Sequence, residues 1–512
     1  MNKRYLEKKY CMGKNKVLPL LIVLFICNSG FGQSVDWERV HNFTTKGIDE
    51  LYGLKVHSAV KYFDEVILTA PNDPRGHFFK AMAYYYKYFL LYEKEDFDKF
   101  IKASDDVIKV CERHLKYKSN PTEEAKTYFY LGGIKGYRGI IKSLYSSGSP
   151  SLSVLKEGKE AYEALESAIT LNPQMYDAYM GLGLFTYVVG SLPKAFRWIA
   201  GVLGFEGDKK KGMEYLRLAN EKGLYTKYEA LWWLTSFYMG ENDDENASKS
   251  LDAVLKKFPT NTLYLVLMAN FQLSMNKVDK AFEYFSRASI VQAPEMKKLT
   301  YYSYAGLGRY YYLKNNFEEA AKHYENFLSL VSEKDDRWRN RDNSIYNLGV
   351  CYEILGQREK ALSYYKQVKY NDFAILRVNR PLTETQKAIL RHYNHGFAVN
   401  LEGAVEELER MIIQNNLTID EFAYARYMLG SLYFVHKNYK KALSILKEIQ
   451  SIKIEDENWL KPYAKYYIGQ CFVNLKDKAS AKKEFDNIKE FKDYYGERSL
   501  KRMTQRAIDK LD

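Results

Sequence analysis

Three groups of residues in this chain have the type and spacing to do chemistry. His392 and His395 lie three apart, on one face of any helix, where two imidazoles could hold a metal. No third ligand pattern accompanies them, so a surface pair is the plainer reading; no metal and no cofactor is expected. Cys111, Cys351 and Cys471 are odd in number and far apart, which makes neither a disulfide framework nor a zinc signature. Buried, inert thiols fit them better. Lys209, Lys210 and Lys211 could attract an anion, yet they oppose the dipole of the helix they begin, and a solvated surface competes with that role. The signatures GxxxxGK[ST], HExxH, GxSxG and paired CxxC do not occur. "LGGIKGYRG", Leu131 to Gly139, is rich in glycine but follows no strand pattern, so it is no dinucleotide loop. No catalytic residue is assigned, and an enzyme is not expected.

The elements that carry these residues read as helices. Hydrophobic residues make up 46% of the 512, enough for a sizeable core, and only 11 prolines interrupt them. Residues 1–32 have the three-part layout of a signal peptide: a basic start, the apolar run "VLPLLIVLFI", then "CNSGFG". Cleavage is expected between Gly32 and Gln33, with Met12 an alternative start. Ile26 before Cys27 disfavours a lipid attachment there. Export to the periplasm or cell envelope is the expectation. The leader holds six Lys/Arg and one Glu, so its loss lowers the net charge from +13 to +8. Moderate basicity on an exported chain points to acidic surfaces or anionic lipid, not to nucleic acid, although a basic surface with no partner is an equal reading.

A repeating skeleton runs along the chain. In "YNLGVCYEILGQREKALSYYKQV" Leu348 and Gly349 are followed by Tyr352, Gly356, Ala361, Tyr365 and Val368. The same offsets return at Leu307–Gly308 with Ala320 and Tyr324, at Leu429–Gly430 with Ala442 and Leu446, and at Ile468–Gly469 with Ala481 and Phe485. Apolar residues at three- and four-residue spacing give each helix one buried face. Small residues mark where two helix axes approach, and Pro71, Pro173 and Pro259 stand where second helices stop. About eleven pairs fit between Trp37 and Phe491, one of them degenerate near Leu390 to Ile413.

This pattern resembles the tetratricopeptide repeat (TPR). The resemblance implies an all-α fold, a right-handed α-solenoid of TPR-like antiparallel helix pairs. The mature chain divides into divergent repeats with inserted connections over 33–227, regular repeats over 228–492 and a capping helix over 493–512. Because stacked repeats touch only their neighbours, unfolding is expected to be less than fully cooperative. In regular repeats the small residue of the second helix follows that of the first by 12 positions. From Gly132 to Ala161, and from Gly183 to Gly212, the distance is 29, so two repeats carry long insertions in the same connection.

The second insertion, "GSLPKAFRWIAGVLGFEGD" from Gly190 to Asp208, is the most apolar stretch of the mature chain. Together with its flanks, 179–216, it resembles the tetratricopeptide repeat protein 39 / inclusion-body-clearance family. Ser191 and Pro193 suit a helix start. Leu192, Phe196, Ile199 and Leu203 would share one face of the inserted helix, widened by Val202 and Phe205, that packs on the array, with Trp198 expected to be buried against it. Docking of a partner and contact with a membrane surface stand as alternatives. In the TPR family the first helices line a concave groove. Carried onto this chain, that lining gives Phe129, Tyr187, Trp232, Asn270, Arg309, Tyr312, Tyr346, Tyr427, Phe434 and Tyr466. An aromatic lining with polar edges suits a protein or extended peptide. The same large residues would equally serve to close a tight superhelix. The identity of the partner and the oligomeric state are not read from the sequence.

Overall fold

The computed structural model describes residues 35–117, 120–145, 152–192, 201, 204–205, 207–333, 340–414 and 416–511. Every regular element among them is helical. The helices form eleven consecutive antiparallel pairs, from Trp37–Tyr52 with Val56–Thr69 to Leu460–Asn474 with Lys478–Asn487, and Glu497–Leu511 closes the array. A short helix not foreseen from the sequence, Phe373–Asn379, precedes the degenerate pair Glu384–Ala398 and Leu401–Ile413.

Local chemistry explains the pairing. Helices begin at side chains that accept from their first free N–H groups: Asp73 ahead of Pro74, Asn261 ahead of Thr262, and full capping boxes at Thr383 and Thr418. The turn inside several pairs places a residue in the left-handed region. Gly356 takes that position at φ 75°, and Asn242, Asn276 and Asn315 take it at 59°, 57° and 60°. The helices of a pair then meet on the small residues. A Cβ on Gly349 would lie 2.5 Å from the Tyr365 ring. In the two extended repeats the same seam spans the insertion. A Cβ on Gly132 would lie 2.8 Å from the Ala161 carbonyl oxygen, and one on Gly183 2.9 Å from that of Gly212.

The array also contacts itself from one superhelical turn to the next. Asn261 Nδ2 donates to the Tyr52 carbonyl at 2.6 Å, His57 N to Glu295 Oε2 at 2.9 Å, and Lys257 pairs with Asp49 at 2.9 Å. Further on, Asn276 Nδ2 donates to the Val435 carbonyl at 3.0 Å, and Lys510 Nζ to that of Gly240 at 3.0 Å. The expectation that repeats touch only their neighbours is therefore corrected. The first pair packs against the fifth pair and the connections on either side of the sixth, and the last repeats against the fifth and sixth. These bonds couple repeats about 160 to 270 residues apart, so cooperativity extends beyond nearest neighbours.

Candidate functional site

Closure of the superhelix fills two interiors with side chains. In the first, Tyr52 stacks on Phe258 with ring centroids 5.6 Å apart and meets Tyr86 and Tyr228 at 5.8 and 5.4 Å. Glu229, in the first turn of Lys227–Gly240, sends its carboxylate into this aromatic cluster. It accepts from Tyr52 Oη at 3.2 Å and from Trp233 Nε1 at 3.3 Å. Burial raises the Glu229 pKa above the ordinary carboxylate value, and the hydrogen bonds from Tyr52, Trp233 and Tyr137 only partly offset it. Two small cavities flank the carboxylate. The larger, about 40 Å³, is otherwise lined mostly by apolar and aromatic side chains such as Met82, Phe129 and Met180.

The second interior is built on ions. Arg377, on the unforeseen short helix, is 3% exposed and binds Glu457 through both guanidinium nitrogens at 3.0 and 3.2 Å. Gln386 Nε2 at 2.9 Å and Trp459 Nε1 also donate to Glu457. Burial works against the Arg377 charge, but Glu457, with Tyr346 and Tyr424, together more than offset it, so its pKa rises above the ordinary value. Glu353, also buried, accepts from Tyr365 Oη at 2.6 Å, Leu382 N at 2.8 Å and Arg358 at 3.0 Å. Neither Glu229 nor Glu457 stood out in the sequence, whereas Glu353 falls one turn beyond the lining positions that the repeat pattern marks. Glu229 lies one turn before the lining positions that the repeat pattern picks out. Glu457 lies in a connection, and its partner is 80 residues away.

The ten groove residues fall into three settings. Phe129, Tyr187 and Tyr427 are buried: Phe129 against Phe78 and Tyr130, Tyr187 stacked on Phe237 at 3.6 Å, and Tyr427 against Trp459 at 5.0 Å. Their burial leaves no open ring face for a partner. Trp232, Tyr312, Tyr346, Phe434 and Tyr466 are half-buried, each against another aromatic ring: Tyr264, Phe317, Tyr365, Tyr467 and Phe485 respectively. Asn270 and Arg309 alone of the ten are exposed, on consecutive first helices, Thr262–Ser274 and Lys297–Leu313.

Of the insert, Phe196 and Trp198 lie outside the described residues. Phe205 packs on Phe185 at 4.6 Å and Tyr162 at 5.6 Å. The ends of the insert meet: a Cβ on Gly207 would lie 2.4 Å from Gly190 N, and Asp208 N donates to the Thr186 carbonyl at 3.1 Å. Gly190 and Gly207 thus let the chain leave and return at one point. The lysine run is largely engaged. Asp208 caps the helix through Lys210 N and Lys211 N, and Lys209 pairs with Glu241 at 2.9 Å, holding that carboxyl below its usual range. All three cysteines are buried; burial pushes Cys111 and Cys471 up to about 12 and raises Cys351 as well. His392 and His395 are half-buried. Among the described residues no three His, Cys, Asp or Glu side chains gather closely enough for a metal, and no helix is long and apolar enough to cross a membrane.

A family model described as Iml2/Tetratricopeptide repeat protein 39 matches residues 81–371, which takes in the first interior apart from Tyr52 and its pair, both insertions and part of the second interior. Tetratricopeptide repeat protein ttc-39B of Caenorhabditis elegans is 21% identical over 368 residues, 63% of this chain and 61% of that protein. The chain thus spans about three fifths of the length of that curated relative. Among solved structures, yeast Tom70 is 12% identical, with 92% of this chain and 96% of that one covered at a TM-score of 0.27. A tetratricopeptide repeat protein from Parabacteroides merdae is 16% identical over 55% of this chain and 98% of its own, at 0.24.

Proposed function

The chain belongs to the Iml2/Tetratricopeptide repeat protein 39 family, and from that membership we propose a non-catalytic scaffold that binds a protein or extended peptide on the open part of its concave face. Stacked helical repeats are built to present such extended surfaces. The observation that carries the reading is the exposure of Asn270 and Arg309 on adjacent first helices between two filled interiors. The binding stretch is then narrower than the ten positions that the repeat pattern marks. The leader over 1–32 supports export, cleavage near Gly32 and a place in the cell envelope.

Cross-linking with mass spectrometry on intact cells tests this function. Asn270 Nδ2 bonds the Val266 carbonyl of its own helix at 2.9 Å, and Arg309 enters no ion pair among the described residues. Arg309→Glu combined with Asn270→Ala should leave the melting temperature unchanged and remove cross-links to the partner. Cross-links that persist in this variant would move the site elsewhere, and finding none in the unaltered protein would overturn the scaffold.

A further inference from the structure

A cleft of about 760 Å³ opens outside both interiors, between the connection that follows Arg358–Tyr365 and the start of the closing helix Glu497–Leu511. Its size is within the range of roughly 300–1,000 Å³ that holds ligands. Phe373 and Tyr463 lie on its wall as an edge-to-face pair with centroids 5.6 Å apart. Gly496, at φ 80°, has no Cβ, and one placed there would lie 2.5 Å from Tyr463 Oη and 2.9 Å from the Phe373 ring.

The charges around this cleft are out of balance. Among the described residues five cations line it against three carboxylates. Lys369 is taken by Glu333 at 2.6 Å, and Arg341 donates to the carbonyls of Leu328 and Val331 at 2.9 and 2.7 Å. Asp342 accepts from Tyr370 N at 2.7 Å, and Asp372 faces Tyr463. Beyond the rim, Glu497 is engaged by Lys501 and by Asp493 N. Lys366, Arg498 and Arg502 are left with no ion pair among the described residues.

The placement of the two arginines opposes the preferences of their own helix. Arg498 sits in the first turn, where a cation opposes the dipole. Arg502 follows at i+4, where like charges repel. Both are exposed, so packing does not account for them. An anion in the cleft would compensate both costs. The site is concave, which a flat bilayer surface does not fill, and it combines the cations with an aromatic wall.

We propose that this cleft receives an acidic segment of a partner protein, an extended stretch whose carboxylates meet Lys366, Arg498 and Arg502 while an apolar side chain covers Phe373 and Tyr463. The proposal rests on the scaffold reading and names the chemistry of one partner. The test is fluorescence anisotropy on the full chain with a labelled Glu-rich peptide carrying one Tyr, and with the same peptide bearing Gln for Glu. Saturable, salt-sensitive binding of the Glu peptide alone is expected. Arg498→Ala with Arg502→Ala should weaken it at least about tenfold, while the melting temperature stays the same. Lys366→Gln, on the opposite wall, should weaken it independently. Equal binding of both peptides, an undiminished affinity in the arginine variant, or binding only to inorganic phosphate or to phosphatidylglycerol vesicles would overturn the proposal. Failure here with partner cross-links intact in cells removes only the acidic segment; loss of the cross-links removes the scaffold itself.

Discussion

The two interiors enclose carboxylates by opposite means. Around Glu229 the donors are neutral, two phenols and an indole, and among the described residues no guanidinium or ammonium reaches it. Around Glu457 a buried arginine supplies the counter-charge, and an amide and an indole complete the shell. Neutral donors satisfy the oxygen lone pairs but do not cancel the charge, so burial still favours the protonated acid. An arginine cancels the charge, but each ion then depends on the other to remain buried. A filled superhelix can therefore hold an acid either as a titrating group or as one half of a fixed pair.

The largest effect should come from breaking the pair. Glu457→Ala leaves the Arg377 guanidinium buried without its carboxylate, at about 3–5 kcal/mol in urea unfolding. Replacing both residues by leucine should recover most of that loss. If the double variant is no better than the single one, the coupling of Arg377 to Glu457 is not what stabilises this interior.

An intermediate effect is expected at the seam that closes the first interior. Asn261→Ser retains an acceptor for the helix start but cannot reach the Tyr52 carbonyl, and leaving that acceptor unpaired costs about 1–3 kcal/mol. The unfolding transition should broaden as the first pair separates from the later repeats. A drop in stability with unchanged steepness would show that the seam does not carry the coupling between turns.

The smallest effect, and the one that separates the interiors by sign, is at Glu229. Its folded pKa is raised by burial, so its contribution to stability is complete below the unfolded value near 4.3 and is lost as pH rises through the folded value. Gln can accept from Trp233 and donate to the Tyr52 hydroxyl, so Glu229→Gln should cost on the order of 1 kcal/mol or less at acid pH. The variant should then gain on the native chain as pH rises from 4 to 7. Melting curves across that range that keep a constant offset would place Glu229 with the fixed carboxylates.

Much of the candidate site was legible as position and little of it as environment. The lining residues do stand on the first helices, because one helical period fixes which side each of them takes. Whether that side is open depends on rings about 30 to 50 positions away, such as Phe237 over Tyr187 and Trp459 over Tyr427, which the pattern of one repeat does not contain. Asn270 and Arg309 are the two polar residues among the ten, so residue type was the signal that could have set them apart.

The sequence by itself determined the pairing. Caps, left-handed turn residues and small residues at fixed offsets act within about thirty positions, and each of them specifies its helix pair through contacts that every repeat makes. It also marked the insertions, since the seams Gly132–Ala161 and Gly183–Gly212 are formed across them. Only the tertiary structure decided that the array closes on itself. Small rotations between successive repeats accumulate until Tyr52 meets Glu229 across 177 residues, and Arg377 meets Glu457 across 80. The sum of many small angles sets those meetings, and no single stretch of sequence encodes it.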